Sequence, residues 1–384
     1  MPASVSRVND VSPRERSSPP IIEIAIAAVG VALVATVIAA NQSWLDRHFL
    51  PSFFMPRHRY VLIESTVRSV VGGVGALLVF GRSRLARLMA HAWGTALQVV
   101  VAAVLAIVAS ELALRWVHPR PTGWLVPEEE PRRQADSQLG WVLAPSRAGR
   151  SRIGGRTIEY AIDGAGDRVQ RVDDPIDPTR PTVVFAGESV MFGEGLTWDE
   201  SIPAQVAARL GIQSANLAVH GYSTDQMYLR LTRELPRFTH PDAVVSIFMT
   251  ELFGRNLDDD RPHLGPGLVW RPAEQASRLA SLAGLLVPYR RDATVDLGFR
   301  MTRDVLRAIV RLAHSRGAVA LVVVPQFGRE DDVQRALRER IFADDIPQLL
   351  VRLDPDWRLP WDPHPNARGA QAIAAAIAAR LRRH

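Results

Sequence analysis

The sequence predicts an α/β domain, a three-layer α/β/α sandwich on a mainly parallel sheet, preceded by N-terminal transmembrane helices. Three observations predict it. Apolar residues are concentrated in the first 115 positions of a 384-residue chain that is 47% hydrophobic. From Pro181 onward, short β-branched runs alternate with stretches of helical length, the pattern of parallel strands joined by covering helices. Polar residues able to do chemistry follow directly on the ends of those runs, where open sheets of this kind bind ligands.

The order begins with a polar, Pro/Ser-rich tail, residues 1–20, read as disordered and cytosolic. Residues 21–116 form the membrane region. Within it, 21–40 is an apolar run broken only by Glu23 and Gly30, about the length that crosses a ~30 Å hydrocarbon core. That is long for a cleaved signal peptide, and further spans follow. Residues 92–113 give a second clear span. Between them, 61–80 is apolar from Ser69 to Phe80 but carries Glu64 and Arg68, four apart on one helical face, where they can pair. We read it as a third span. Arg82, Arg84 and Arg87 follow with no acid among them, as positive-inside loops do. Three crossings from a cytosolic N-terminus put the C-terminal domain outside the cytoplasm, in the periplasm of an inner-membrane protein. Two crossings would put it inside.

Residues 117–138 read as a linker, 139–180 as a small β-structured preface and 181–384 as the main domain. Candidate strands are 182–186, 213–218, 243–249, 318–324 and 349–353. Candidate helices are 200–210, 224–235, 301–315, 330–343 and 367–383. An insertion over 252–298 holds a leucine-rich helix candidate, Ala276–Val287, fit for core packing or for lying over the sheet rim.

Composition excludes several chemistries. There is no cysteine, hence no disulfide, thiolate metal site or cysteine nucleophile. The net charge of +6 comes from scattered arginines with no lysine, so no basic, aromatic-interleaved surface for nucleic acid is present. His220, Asp225 and Glu251 form no matched ligand set, and no glycine-rich nucleotide loop occurs, so neither metal nor cofactor is expected.

The strand at 182–186 stops at Gly187–Glu188–Ser189, an exit that can hold a serine hydroxyl clear of the backbone or simply cap a helix. The final glycine of a Gly-x-Ser-x-Gly elbow is replaced by Met191, which argues against an ordinary α/β-hydrolase. His220 and Gly221 follow the second strand, and Thr250 and Glu251 the third. His364 lies in WDPHPNARG before the last helix, with Asp362 two residues upstream. An acid at that spacing can turn onto one ring nitrogen while the other faces a serine, as nucleophilic catalysis needs.

Gly187–Glu188–Ser189 with VMFGEG, NLAVHGYSTDQ at 216–226 and Asp362–Pro363–His364–Pro365–Asn366 together resemble the SGNH (GDSL-like) hydrolase family. The likeness is to its membrane-anchored branch, whose Gly-Trp preface is matched by Gly140–Trp141. The resemblance implies Ser189 as nucleophile, His364 as base, Asp362 as its orienting acid, and the N–H groups of Ser189 and Gly221 in an oxyanion hole. It departs at two places. Glu188 stands where the first block usually has Asp. The third block, usually Gly-x-Asn, is either Thr250 or Glu251 by strand register, or Gly254–x–Asn256 by motif, with Asn256 as third donor. The implied activity is a serine esterase or O-acyltransferase acting on O-acetyl groups of envelope glycans. The alternatives are a lysophospholipase-like lipid esterase and a non-catalytic glycan-binding or assembly protein. Expected partners are the bilayer, an ester-bearing glycan or lipid and envelope-assembly proteins, without nucleic acid.

Overall fold

The computed structural model describes residues 20–49, 57–91, 93–117, 125–126, 128–153, 155–258, 260–274, 277–280, 289–342, 345–360 and 362–383. The tail at 1–19 and most of the leucine-rich helix candidate at 276–287 lie outside them. The described residues fall into two compact units, one within Met1–Leu45 and Val61–Leu112, the other within Asp46–Tyr60 and Ala113–His384.

The first unit contains helix α1 (Pro20–Ala39) and most of α3 (Arg57–His91) and α4 (Trp93–Val117); the short α2 (Gln42–His48) begins in it and ends in the second unit. Among the described residues, three helices are long and apolar enough to cross a membrane: Ile21–Ala39, Arg57–Met89 and Leu97–Val117. The span read at 61–80 is therefore part of a much longer helix. The arginines at 82–87 continue it rather than forming a loop, because helix-forming Leu and Ala residues surround them and no proline interrupts. Glycines bring α1 and α3 together: a Cβ on Gly30 would lie 2.6 Å from the Gly75 carbonyl oxygen, and one on Gly75 2.8 Å from that of Gly30. Small residues permit such close approach between helices in lipid. Polar groups cross the same pair, Ser83 donating to Glu23 (3.0 Å) and Arg68 to the Val37 carbonyl (3.3 Å), while Gln42 at the start of α2 donates to Glu64 on α3 (2.9 Å).

The second unit begins with a hairpin of β1 (Arg133–Asp136) and β2 (Gly140–Leu143). Strands β3 (Arg147–Ile153), β4 (Arg156–Ile162), β5 (Arg168–Val169) and β6 (Thr182–Ala186) follow, then α5 (Ser189–Phe192), α6 (Ile202–Leu210), β7 (Gln213–Asn216) and α7 (Thr224–Glu234). Next come β8 (Pro241–Ile247), a 3-10 segment Thr250–Leu257, the hairpin β9 (His263–Gly265) and β10 (Val269–Arg271), and α8 (Asp292–Ser315). The chain ends with β11 (Val319–Phe327), α9 (Asp332–Ile341), β12 (Gln348–Leu353) and α10 (Ala367–Leu381).

The central sheet has eight strands in the order β12-β11-β8-β6-β7-β5-β4-β3. Strands β12 through β7 are mutually parallel. Strands β5, β4 and β3 continue the sheet antiparallel. The expectation of a mainly parallel sheet is thus corrected to a mixed one. Short connections around 154–155 and 163–167 allow β3–β5 to pair only antiparallel, while helical crossovers force the remaining strands parallel. Helices α6 and α10 pack together against β6, β7, β11 and β12, and α7 and α8 pack together against β6, β8 and β11. Covering both faces explains why β6 is buried throughout, and why four of its five residues are β-branched or aromatic with no polar alternation.

Candidate active site

The site grows from the carboxyl ends of β6, β7 and β8 and from the loop before α10. Leaving β6, the chain turns at Gly187, and Glu188 caps α5 by accepting the Val190 N–H (3.0 Å). Ser189 opens that one-turn helix and is buried to 5% exposure. The carbonyls that α5 and the following loop leave over are taken by side chains. Arg168 on β5, wholly buried, donates to those of Phe192 (2.6 Å), Gly193 (2.8 Å) and Leu196 (2.6 Å). Its guanidinium also lies 4.8 Å from the ring centres of Tyr160 and Phe192. Burial lowers its pKa to about 10, still high enough to stay charged at neutral pH. Tyr160 on β4 accepts the Gly195 N–H through its hydroxyl (2.8 Å), and Asn216 donates to the Phe192 carbonyl (3.2 Å).

His364 reaches the same point from the far end of the chain. Leu359 N–H donates to the His364 carbonyl (2.8 Å), and Asn366 caps α10 by accepting from Arg368 and Gly369, which fixes the loop between them. The carboxylate of Asp362 accepts both the His364 backbone N–H (2.8 Å) and Nδ1–H (2.5 Å). Burial works to raise the pKa of Asp362, but these bonds and the neighbouring imidazole hold it below the ordinary carboxylate range. With Nδ1 thus protonated, Nε2 is left as an acceptor 2.7 Å from Ser189 Oγ.

The second block supplies a rigid loop beside the serine. Val219 N–H donates to the Gly187 carbonyl (3.1 Å), Trp141 Nε1 to the His220 carbonyl (3.0 Å), and Arg261 to the Gly221 carbonyl (2.5 Å). Gly221 has φ +78°, a conformation that L side chains strain to adopt. Among the described residues, the N–H groups of Ser189 and Gly221 have no hydrogen-bond acceptor.

The residues read for a third donor are otherwise engaged. Asn256 gives its two amide hydrogens to the hydroxyls of Thr224 (2.9 Å) and Thr302 (2.8 Å) and accepts the Thr224 N–H (2.9 Å). It ties the 3-10 segment to α7 and α8, which leaves no hydrogen for an oxyanion. Thr250 Oγ donates to Glu251 (3.1 Å), and Glu251 accepts from Gln334 (2.9 Å). Burial raises the Glu251 pKa. Glu188 does come to the centre: its Oε2 lies 2.7 Å from Ser189 Oγ.

Sequence reasoning missed a second buried pair. Glu194, just past α5, is in direct contact with His220 through Oε2 and Nε2. Burial pushes Glu194 up to about 7, opposed by His364 and Arg133 and reinforced by Asp362. Burial and the charge of Arg133 push His220 well below its usual value. Both directions disfavour the charged forms of this buried pair. Asp225 lies elsewhere, accepting from His263 (3.1 Å) and Leu264 N–H (3.0 Å). Among the described residues, no group of three His, Asp or Glu side chains could hold a metal ion.

No family model matches the sequence, and no curated protein matches it. Solved structures similar to the chain include an acetyl xylan esterase from Butyrivibrio proteoclasticus, 12% identical with a TM-score of 0.33, covering 55% of this chain and 65% of that one. A carbohydrate acetylesterase family member from Sinorhizobium meliloti is 12% identical with a TM-score of 0.31, covering 53% and 98% respectively. A member of the lipolytic G-D-S-L family from Veillonella parvula is 13% identical with a TM-score of 0.31, covering 51% and 94%.

Proposed function

We propose that the chain is a membrane-anchored serine esterase or O-acyltransferase of the SGNH type, working through a Ser189–His364–Asp362 acyl-enzyme mechanism. One observation carries the reading: Ser189 Oγ and His364 Nε2, 175 positions apart in sequence, stand 2.7 Å apart, with Asp362 on the other ring nitrogen. Attack begins when Oγ bonds to the ester carbonyl carbon and its proton passes to Nε2. The carbonyl π electrons move to oxygen, where the Ser189 and Gly221 N–H groups receive the charge; one such donor is typically worth ~3 kcal/mol. Collapse expels the alcohol, which takes the proton from Nε2. Water or a sugar hydroxyl, deprotonated in turn by His364, then releases or accepts the acyl group. Asn256 has no part in this scheme. Thr250 and Glu251 stay in supporting positions.

A parity argument supports an outside position for the main domain. Residues 46–49 belong to the second unit: Arg47 donates to Asp296 (3.1 Å), the His48 carbonyl accepts Arg290 N–H (2.9 Å), and the His48 ring stacks on Tyr289 at 5.5 Å. Residues 46–49 therefore share a compartment with the rest of that unit. An even number of crossings must separate them, which α3 and α4 supply. With Arg82, Arg84 and Arg87 retained inside, both segments lie outside the cytoplasm. A domain on that side of the membrane suits O-acetyl groups on envelope glycans.

The test is a fluorophosphonate probe applied to the detergent-solubilised chain, followed by acetate release from O-acetylated glycan and fatty-acid release from lysophospholipid. We expect labelling that is abolished in S189A, and acetate release. Absence of labelling in the wild-type chain would overturn the enzymatic reading in favour of a binding role. Fatty-acid release alone would move the substrate to lipid.

A further inference from the structure

Ser189 carries one hydroxyl hydrogen and has two acceptors for it. His364 Nε2 and Glu188 Oε2 both lie 2.7 Å from Oγ. In an ordinary serine triad, the histidine nitrogen is the sole acceptor at that distance. Here the residue before the nucleophile has one methylene more than the aspartate usual at this position, and the added length lets its carboxylate bend back onto its neighbour's oxygen. Its position is fixed: Oε2 also accepts the Val190 N–H (3.0 Å), the residue is 1% exposed, and the Arg255 guanidinium is 3.9 Å away. The other oxygen, Oε1, is buried and has no hydrogen-bond partner among the described residues. Capping α5 alone would need only the bond to Val190, which an aspartate could also make.

We propose that Glu188 is a second general base for Ser189, accepting the nucleophile's proton in parallel with His364. The inference rests on the serine-nucleophile reading above. In the step, the Oγ–H bond breaks and the proton goes to Glu188 Oε2. The Oγ electron pair forms the bond to the acyl carbon, and the carbonyl π pair moves to oxygen. On collapse, the leaving alkoxide takes the proton back from the Glu188 carboxyl, which returns to a carboxylate. His364 and Asp362 remain the main route, and Glu188 carries the reaction where the imidazole is missing or turned away.

A double-mutant cycle on the full chain in detergent tests this, with the rate of fluorophosphonate labelling as readout. H364A should lose about 10²–10⁴-fold, the usual worth of a general base, yet label at least about 10-fold faster than S189A. E188Q keeps an oxygen for the Val190 cap but cannot take a proton. It should cost at least about 10-fold more in the H364A background than in the wild-type background. E188D keeps both charge and cap while losing reach, and should behave as E188Q does beside H364A. Equal costs of E188Q in the two backgrounds would reduce Glu188 to a cap and overturn the proposal. So would an H364A rate no higher than that of S189A, or an E188D rate equal to wild type beside H364A. A wild-type chain that does not label removes the serine reading and this inference together; a labelled wild type with an additive cycle removes this inference alone.

Discussion

Asp362 accepts both the backbone N–H and the ring Nδ1–H of His364, and in the proposed mechanism it fixes the tautomer and stabilises the imidazolium formed in attack. D362N would leave the geometry nearly unchanged but present the wrong hydrogen-bonding partner to Nδ1. We expect a drop of about 10²–10⁴-fold in turnover, with little change in apparent substrate affinity, read from kcat and KM on an activated ester. Glu194 makes a prediction of opposite character. Its pKa rises from the ordinary carboxyl range to about 7 on folding. Between the two values the folded chain holds a proton that the unfolded chain has released. Stability from this group therefore falls as pH rises through that window, and the full penalty persists above it. E194Q removes the penalty. Its unfolding midpoint should exceed that of the wild type by a larger margin at pH 8 than at pH 5. The limit is roughly 3 kcal/mol. Equal margins at the two pH values would show that Glu194 does not ionise in that range. At this scale, sequence was informative about placement: Ser189 at a strand exit, Asp362 and His364 in a loop before a helix, which the structure brings together. It was uninformative for Asn256, because the destination of its amide depends on how α7 and α8 pack around it. The Glu194–His220 contact was equally hidden, since it joins two loops with no shared spacing.

At the scale of elements, the most consequential support is a buried arginine serving a four-residue helix. So short a helix cannot satisfy its own carbonyls, and Arg168 takes those of Phe192, Gly193 and Leu196 with two nitrogens. Lysine has one nitrogen on a flexible stem and cannot reproduce that fork. R168K and R168A should both lower the unfolding midpoint and the rate of Ser189 labelling, with R168K giving little rescue. Substantial rescue by lysine would mean that charge alone matters. The α1–α3 crossing has a comparable dependence: replacing Gly30 or Gly75 with valine would drive a side chain into the opposing backbone. Such variants should be recovered from membranes in lower yield and unfold at lower temperature, whereas a valine at Gly73, where an added Cβ meets nothing within 4 Å, should be tolerated. Strand positions were readable because fully buried parallel strands are short β-branched runs: 182–186 was expected, and the strand is Thr182–Ala186. The length of α3 was not, since the hydropathy of a segment marks where lipid begins and ends, while the backbone continues helical through Arg82–Arg87. The mixed sheet escaped for a related reason. Pairing direction is set by connection length and crossover geometry, and β5 is only two residues long.

For the whole molecule, the testable matter is sidedness. Alkaline phosphatase fused after Trp116 should be active and a fusion within 82–91 inactive, reporting an outside and an inside position respectively. Activity in the reverse pattern would place the main domain in the cytoplasm and remove envelope glycans as substrates. Both the hydropathy of 61–80 and the contacts of residues 46–49 bear on this, by different physics. The first concerns transfer into lipid; the second needs only that two segments in contact cannot lie on opposite sides of a bilayer.

Arg168 and Tyr160 also bear on where this protein can be cut. Both lie upstream of residue 181, yet they hold the backbone immediately after Ser189. A soluble fragment begun at the first parallel strand would keep every residue of the proposed triad and lose the groups that keep the nucleophile's helix in shape. One begun near residue 128 would keep both. The shortest stretch that contains the reactive side chains is thus not the shortest that can present them, and the difference between two such fragments is some fifty residues with no chemistry of their own.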